Sequence, residues 1–286
     1  MSDSLPMTVT TLTRAQKRQV LNLVRRAARA EILPRFRDLA PGDIATKTGP
    51  QDLVTEADRA AEAMITRGLQ QMFPHALIVG EEAVSDHPDI EKGLPDAELA
   101  FTVDPVDGTW NYANGIATFG VIVAVARYGV PVFGLHYDPV MDDCIWADSD
   151  GAAEFVKGRR APRKVQVSEG GAIEDISGFV GLKLLPDDKQ DAMAATFPKL
   201  RRALNLRCAC HEYRVFAQGG VDFVLASKLT PWDHTAASLI AARAGGHVAM
   251  LDGSEYRAGM RDGYLLAASN QKTWMALRDL WSFLVE

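Results

Sequence analysis

Apolar positions recur at helical spacing between Thr13 and about Leu39, where Val20, Leu21, Val24, Ala27 and Ala28 stand among arginines. That pattern predicts an amphipathic opening helix, which Pro34 kinks or ends. A second helix is predicted from Thr55, a residue suited to the N-cap, with Glu56 and Asp58 in the first turn. Ala61, Met64, Ile65, Gly68, Leu69, Met72 and Phe73 mark its core face. The period then changes. Short apolar stretches at Ala76–Val79, Leu99–Val103, Phe119–Ala126, Val132–Tyr137 and Cys144–Ala147, separated by glycine, proline and acidic residues, predict sequential strands. Two helices followed by such strands define an α+β layered unit.

After the polar turn Asp148–Gly151 and the basic stretch Lys157–Lys164 the pattern becomes α/β, strands alternating with helices. Strands are expected at Ile176–Gly181, Val221–Ala226 and Tyr264–Ala268. Helices are expected at Asp187–Thr196, around Glu212–Ala217, at Asp233–Ala244, and at the end of the chain, where Trp274, Leu277, Trp281 and Leu284 form a stripe. A boundary near residue 155 divides an N-terminal α+β subdomain, 1–155, from a C-terminal α/β subdomain, 156–286, within one compact unit. With 286 residues, 47% of them apolar, the chain can bury a substantial core. Lysine and arginine number 31 against 37 acids, a net charge of −6 with no long basic tract, which argues against nucleic acid as the main ligand. The longest apolar runs fall short of the roughly 20 residues of a spanning helix, and the start Met1–Thr13 lacks an apolar signal core, so a cytoplasmic protein without a membrane partner is expected. Cys144, Cys208 and Cys210 lack framework or metal-site spacing and read as reduced thiols.

The strongest chemical signal is Val103-Asp104-Pro105-Val106-Asp107-Gly108-Thr109, an apolar strand ending in two carboxylates around a proline and then a glycine. Pro105 cannot continue a ladder and Gly108 permits close backbone approach, so Asp104, Asp107 and the carbonyl of Val106 can face one space. Such oxygen ligands suit Mg²⁺. Taken alone, the segment equally fits a solvated acidic turn. Two more acidic groups, Gly80-Glu81-Glu82 and Pro231-Trp232-Asp233, follow an apolar stretch and open a helix respectively. For Asp233 the alternative is a helix N-cap. Glu82 and Asn111 fit either a supporting role or a turn cap, and the six histidines have no metal-ligand spacing.

Together these segments resemble the inositol monophosphatase family of lithium-sensitive, metal-dependent phosphatases. The resemblance rests on Asp52-Leu53-Val54-Thr55-Glu56-Ala57-Asp58, Gly80-Glu81-Glu82, Asp104-Pro105-Val106-Asp107-Gly108-Thr109-Trp110-Asn111-Tyr112 and Trp232-Asp233-His234-Thr235-Ala236-Ala237 with Ala244-Gly245-Gly246, in order from about residue 45. It implies a layered αβαβα sandwich, a homodimer, and two or three Mg²⁺ ions held by Glu81, Asp104, the Val106 carbonyl, Asp107 and Asp233, with Li⁺ as inhibitor. It also implies that Thr109, with Glu81 and Asp58, orients the attacking water, and that Lys47 contacts the phosphate or a third metal. Gly108 and Thr109 would offer backbone N–H groups to the phosphate. The expected substrate is a small phosphorylated polyol, sugar or amino alcohol.

The chain departs from the family pattern at two places. Inositol-hydrolysing relatives carry a glutamate seven residues before the Trp-Asp aspartate, where this chain has Ala226, and a small Gly-Thr or Gly-Ser step where it has Arg207-Cys208. Inositol itself is thereby in doubt, and Arg207 meets either a second anionic group or solvent. Histidinol phosphate is the runner-up substrate, followed by a sugar bisphosphate or a nucleotide-derived 3′-phosphate. A non-enzymatic interaction module is the rival from another class, disfavoured because a binding surface needs no water-orienting Thr109.

Overall fold

The computed structural model describes residues 11–47, 49 and 53–285, so Asp52 and most of the polar start lie outside the described residues. Helix α1, Arg14–Ala27, opens on a Thr13–Gln16 capping box and continues through a π-helical turn, Ala28–Ile32. It ends in a 3-10 turn, Leu33–Arg35, that contains Pro34. The short strands β1 (Ile44–Thr46) and β2 (Leu53–Thr55) pair antiparallel and lead into α2, Glu56–Met72.

Then follow β3 (Leu77–Gly80), α3 (Glu81–Asp86), β4 (Ala100–Asp107), α4 (Thr109–Ala113), β5 (Gly120–Arg127), β6 (Val130–Asp138), β7 (Asp143–Asp148), β8 (Glu154–Lys157) and β9 (Arg163–Lys164). The seven strands β3 to β9 form one sheet in sequence order, parallel between β3 and β4 and antiparallel after that. The remaining elements are β10 (Ser177–Val180), α5 (Asp187–Ala194), β11 (Arg202–Leu204), α6 (Ala209–Ala217), β12 (Phe223–Ala226), α7 (Pro231–Arg243), β13 (His247–Met250), β14 (Leu265–Ala268) and α8 (Gln271–Leu280). Their strands form a second sheet of order β11-β10-β12-β14-β13.

The side-chain alternation of a strand explains the layering. On β5, Val121, Val123 and Val125 belong to the core shared with α1 and α2, while Ile122 and Ala124 pack toward α6 and α7. On the second sheet Val224 and Ala267 face α6 and α7, whereas Phe223, Leu225, Leu266 and Ala268 face Trp274, Leu277 and Trp281 on the α8 side. The order is therefore helices, sheet, helices, sheet, helices: the αβαβα sandwich expected from the sequence. The central helix α7 is apolar all round because both of its faces meet a sheet, and Pro231 through Ala241 are buried apart from Asp233. That exception marks the site.

Candidate active site

The site forms where β3, β4 and the start of α7 converge. Residues three apart on a regular strand point to opposite faces, so Asp104 and Asp107 could not act together on an ideal β4. The ladder resolves this with a bulge: Asp104 pairs with Ile122 and Asp107 with Gly120, three steps against two. The extra residue follows from Pro105, which has no N–H to give the ladder, and it turns both carboxylates to one side. Asp104 Oδ1 is held by the N–H of Val106 at 3.0 Å. Asp107 Oδ2 accepts from Cys208 Sγ at 3.1 Å and from the Cys210 N–H. Cys144, Cys208 and Cys210 are buried free thiols.

At Gly108 the chain leaves β4 with φ of +88°, and a Cβ there would lie 2.9 Å from the Thr118 carbonyl, so only glycine serves. Thr109 follows as the first residue of α4. Its hydroxyl lies 3.1 Å from Asp58 Oδ1 and 3.0 Å from the Val106 carbonyl. The other Asp58 oxygen accepts from the Thr55 N–H at 2.9 Å and from the Thr55 hydroxyl. Burial raises the Asp58 carboxyl to about 6, although the hydrogen bonds from Thr55 and Thr109 oppose the shift.

Glu81 opens α3, a helix capped by another element: Glu62 of α2 accepts the N–H groups of Glu82 and Ala83 at 2.8 Å each. A side chain at Gly80 would overlap the Glu62 carboxyl. Lys47 reaches Glu81 Oε1 at 2.8 Å and Glu82 Oε1 at 2.6 Å. Burial would lower its ammonium, but the two carboxylates outweigh that and raise it. At α7 the cap is Thr230, whose hydroxyl donates to the Asp233 side chain, and Asp233 lies inside the first turn. Asp233 is therefore not the cap itself, and its carboxylate extends toward Asp104 and Asp107.

One ligand oxygen from each of Asp104, Asp107 and Asp233 fits within a 4.8 Å group. Burial, followed by mutual repulsion, raises Glu81 to about 8, Asp107 to about 7 and Asp104 well above the usual carboxylate range. Lys47 is the ammonium that contacts this acidic cluster. An all-oxygen donor set with such unbalanced negative charge fits a hard divalent cation.

A cavity of about 380 Å³ opens over the group, and its walls include Lys47, Glu81, Asp104, Asp107, Gly108, Thr109 and Asp233. Lys228, Trp232 and Arg261 share the same walls. A larger groove of about 710 Å³ between α1 and β7–β8 has no residue in common with it. Two positions singled out in the sequence stand apart from the cavity walls. Ala226 is buried among Leu229, Met250, Tyr256 and Leu265, and the Arg207 guanidinium stacks 4.1 Å above the Trp110 ring. Asn111 ties the loop that precedes α6 to β5, donating to the carbonyls of Leu206 and Thr118 at 2.8 and 2.9 Å. Glu62, Lys228 and Arg261 were not anticipated. For Glu62 a signal existed, since an acid four residues after Asp58 falls in the apolar stripe of α2.

The model of the inositol monophosphatase family matches residues 12–283. The chain is 30% identical over 216 residues to the fructose-1,6-bisphosphatase/inositol-1-monophosphatase of Thermotoga maritima, covering 76% of this chain and 78% of the relative. It is also 30% identical over 253 residues to the histidinol-phosphatase of Streptomyces coelicolor, covering 85% and 88%. A solved IMPase of Thermotoga maritima superposes with a TM-score of 0.77 at 23% identity, over 94% of this chain and 99% of that one. The structure shares the fold of that protein, and the family match defines a phosphatase. The chain belongs to the inositol monophosphatase family.

Proposed function

We propose that this chain is a Mg²⁺-dependent phosphomonoesterase that hydrolyses a small phosphorylated polyol, sugar or amino alcohol by direct attack of water, without a phosphoenzyme. The observation that carries the reading is the convergence of Glu81, Asp104, Asp107 and Asp233 on one cavity beside Thr109. Glu81, Asp104, the Val106 carbonyl, Asp107 and Asp233 hold two or three Mg²⁺ ions. Bound Mg²⁺ supplies charge neutralisation at the phosphoryl group and acidifies water.

The chain's own groups do the rest. Ionised Asp58 takes the proton of the Thr109 hydroxyl as a hydrogen bond, which leaves the Thr109 oxygen to accept from the attacking water. Glu81 accepts a second hydrogen bond from that water and sets its line of approach. Lys47 and the backbone N–H groups at Gly108 and Thr109 contact phosphoryl oxygens as the ester bond breaks. The alcohol departs on the side of Asp233, where a water acidified by the cation that Asp104, Asp107 and Asp233 would hold gives the leaving oxygen its proton; the proton lost by the attacking water restores that water. Li⁺, small and oxygen-seeking, inhibits by occupying part of this carboxylate group.

No helix of the described residues is long and apolar enough to cross a membrane. A cytoplasmic location and, as the family resemblance implies, a homodimer accompany this reading. The test is phosphate release from a panel containing myo-inositol 1-phosphate, histidinol phosphate and sugar phosphates. Release with Mg²⁺ that stops on chelation supports the proposal. Metal binding without hydrolysis of any ester refutes it.

A further inference from the structure

Resting on that reading of the cavity, we infer that Lys228 and Arg261 form a second anion subsite. The preferred substrate is then a phosphorylated alcohol whose leaving group carries another phosphate. Both residues line the same cavity as the acids. Lys228 is exposed two residues beyond β12, and no ion pair engages its ammonium among the described residues. Its backbone is fixed nonetheless, because its carbonyl accepts from His234 Nε2 at 2.9 Å, which pins the loop to the first turn of α7 beside Asp233.

Arg261 comes from the loop between β13 and β14. Its guanidinium lies 5.2 Å over the ring of Trp232, the buried neighbour of Asp233. Its nearest carboxylate, Glu91, is 3.6 Å away, too far for a hydrogen bond, so the donors of the fork remain available to a ligand. The aromatic face and the ion pair hold the guanidinium in place at the wall without saturating it.

Charge explains why such a pair is needed here. The cavity lining carries five carboxylates, Glu81, Asp104, Asp107 and Asp233 together with Glu91 beside Arg261, and the chain as a whole carries −6, so a doubly phosphorylated substrate meets repulsion unless a wall supplies positive charge. Beyond the end of β12 the chain places the ammonium of Lys228, not a carboxylate, on the cavity wall. A planar guanidinium fork with an ammonium suits a tetrahedral dianion better than a neutral polyol. A volume of about 380 Å³ admits a sugar bisphosphate.

The test uses matched substrates with Mg²⁺: glucose 1-phosphate against glucose 1,6-bisphosphate, and glycerol 2-phosphate against 2-phosphoglycerate as the carboxylate arm. The kcat/KM ratio of bisphosphate to monophosphate is expected to exceed tenfold in the wild type. It should fall about tenfold in Lys228→Ala and again in Arg261→Ala, through KM and with kcat retained. A carboxylate preference of similar size would replace the second phosphate by a general anion and overturn the assignment of class. A wild-type ratio near one, or a ratio unchanged in both variants, overturns the subsite while hydrolysis of the monophosphates leaves the phosphatase reading intact. If no ester is hydrolysed, calorimetric binding of glucose 1,6-bisphosphate to the full chain and to Lys228→Glu still decides, and equal affinities refute the subsite.

Discussion

Replacing Glu62 by glutamine tests how α3 and Glu81 are held. The Glu62 carboxylate is buried, accepts two backbone N–H groups at 2.8 Å, and is raised by that burial from 4.5 to about 7. A folded-state value above the unfolded one means that the native state binds this proton more tightly. The stability it contributes is therefore complete below pH 4.5 and lost as pH rises through 7. At about 1.4 kcal/mol per unit the change is about 3 kcal/mol. With an unfolding entropy on the order of 2 cal/mol/K per residue, that corresponds to about 5 °C in Tm for a chain of this size. Glutamine does not titrate. It also turns an NH₂ toward one of the two N–H groups, a cost of about 1–3 kcal/mol that is independent of pH. Thermal unfolding in chelator at pH 5 and pH 8 should show the wild type ahead at pH 5 and its advantage reduced by about 5 °C at pH 8. Asp58, Glu81 and Asp107 titrate in both proteins and cancel in the difference. A Tm difference that stays constant across this range would refute the account of Glu62.

Thr109→Ala should lower kcat by about 10²-fold while calorimetric Mg²⁺ affinity stays near wild type, because the hydroxyl orients water and is not a ligand. A loss confined to metal binding would contradict that role. Asp58 must be ionised to take the Thr109 proton, so the acid limb of kcat/KM should fall near pH 6 and vanish as a distinct limb in Asp58→Asn. Gly80→Ala should destabilise the chain by about 1–3 kcal/mol in urea unfolding, since its Cβ overlaps the Glu62 carboxyl. Lithium should inhibit uncompetitively or in mixed fashion. Purely substrate-competitive inhibition would count against its occupying the carboxylate group after cleavage.

Long elements were legible because their burial is one-sided and periodic. The Thr55 start of α2 and the runs that became β5 and β6 lie within a residue or two of their observed ends, whereas β4, expected to stop at Val103, runs on to Asp107. The two- to four-residue strands β1, β2, β8, β9, β11 and β13 have no periodicity of their own and exist through pairing with distant partners. In the site, the carboxylate-rich turn was legible as a cluster of oxygen donors. The bulge that reverses the parity of Asp107 was only implicit in Pro105. Lys228 and Arg261 lie 33 residues apart on loops of ordinary polar composition, and nothing local marks them as walls of one cavity.

The most direct measurement of the central claim is phosphate release by wild type, Asp107→Asn and Asp233→Asn at saturating Mg²⁺, with circular dichroism confirming the fold of each. Each amide replaces a carboxylate of the oxygen group, so the account predicts Mg²⁺-dependent release by the wild type and loss of most of it, about 10²-fold or more, in both variants. Near-normal turnover in either variant, or wild-type hydrolysis that is indifferent to chelation, would contradict it.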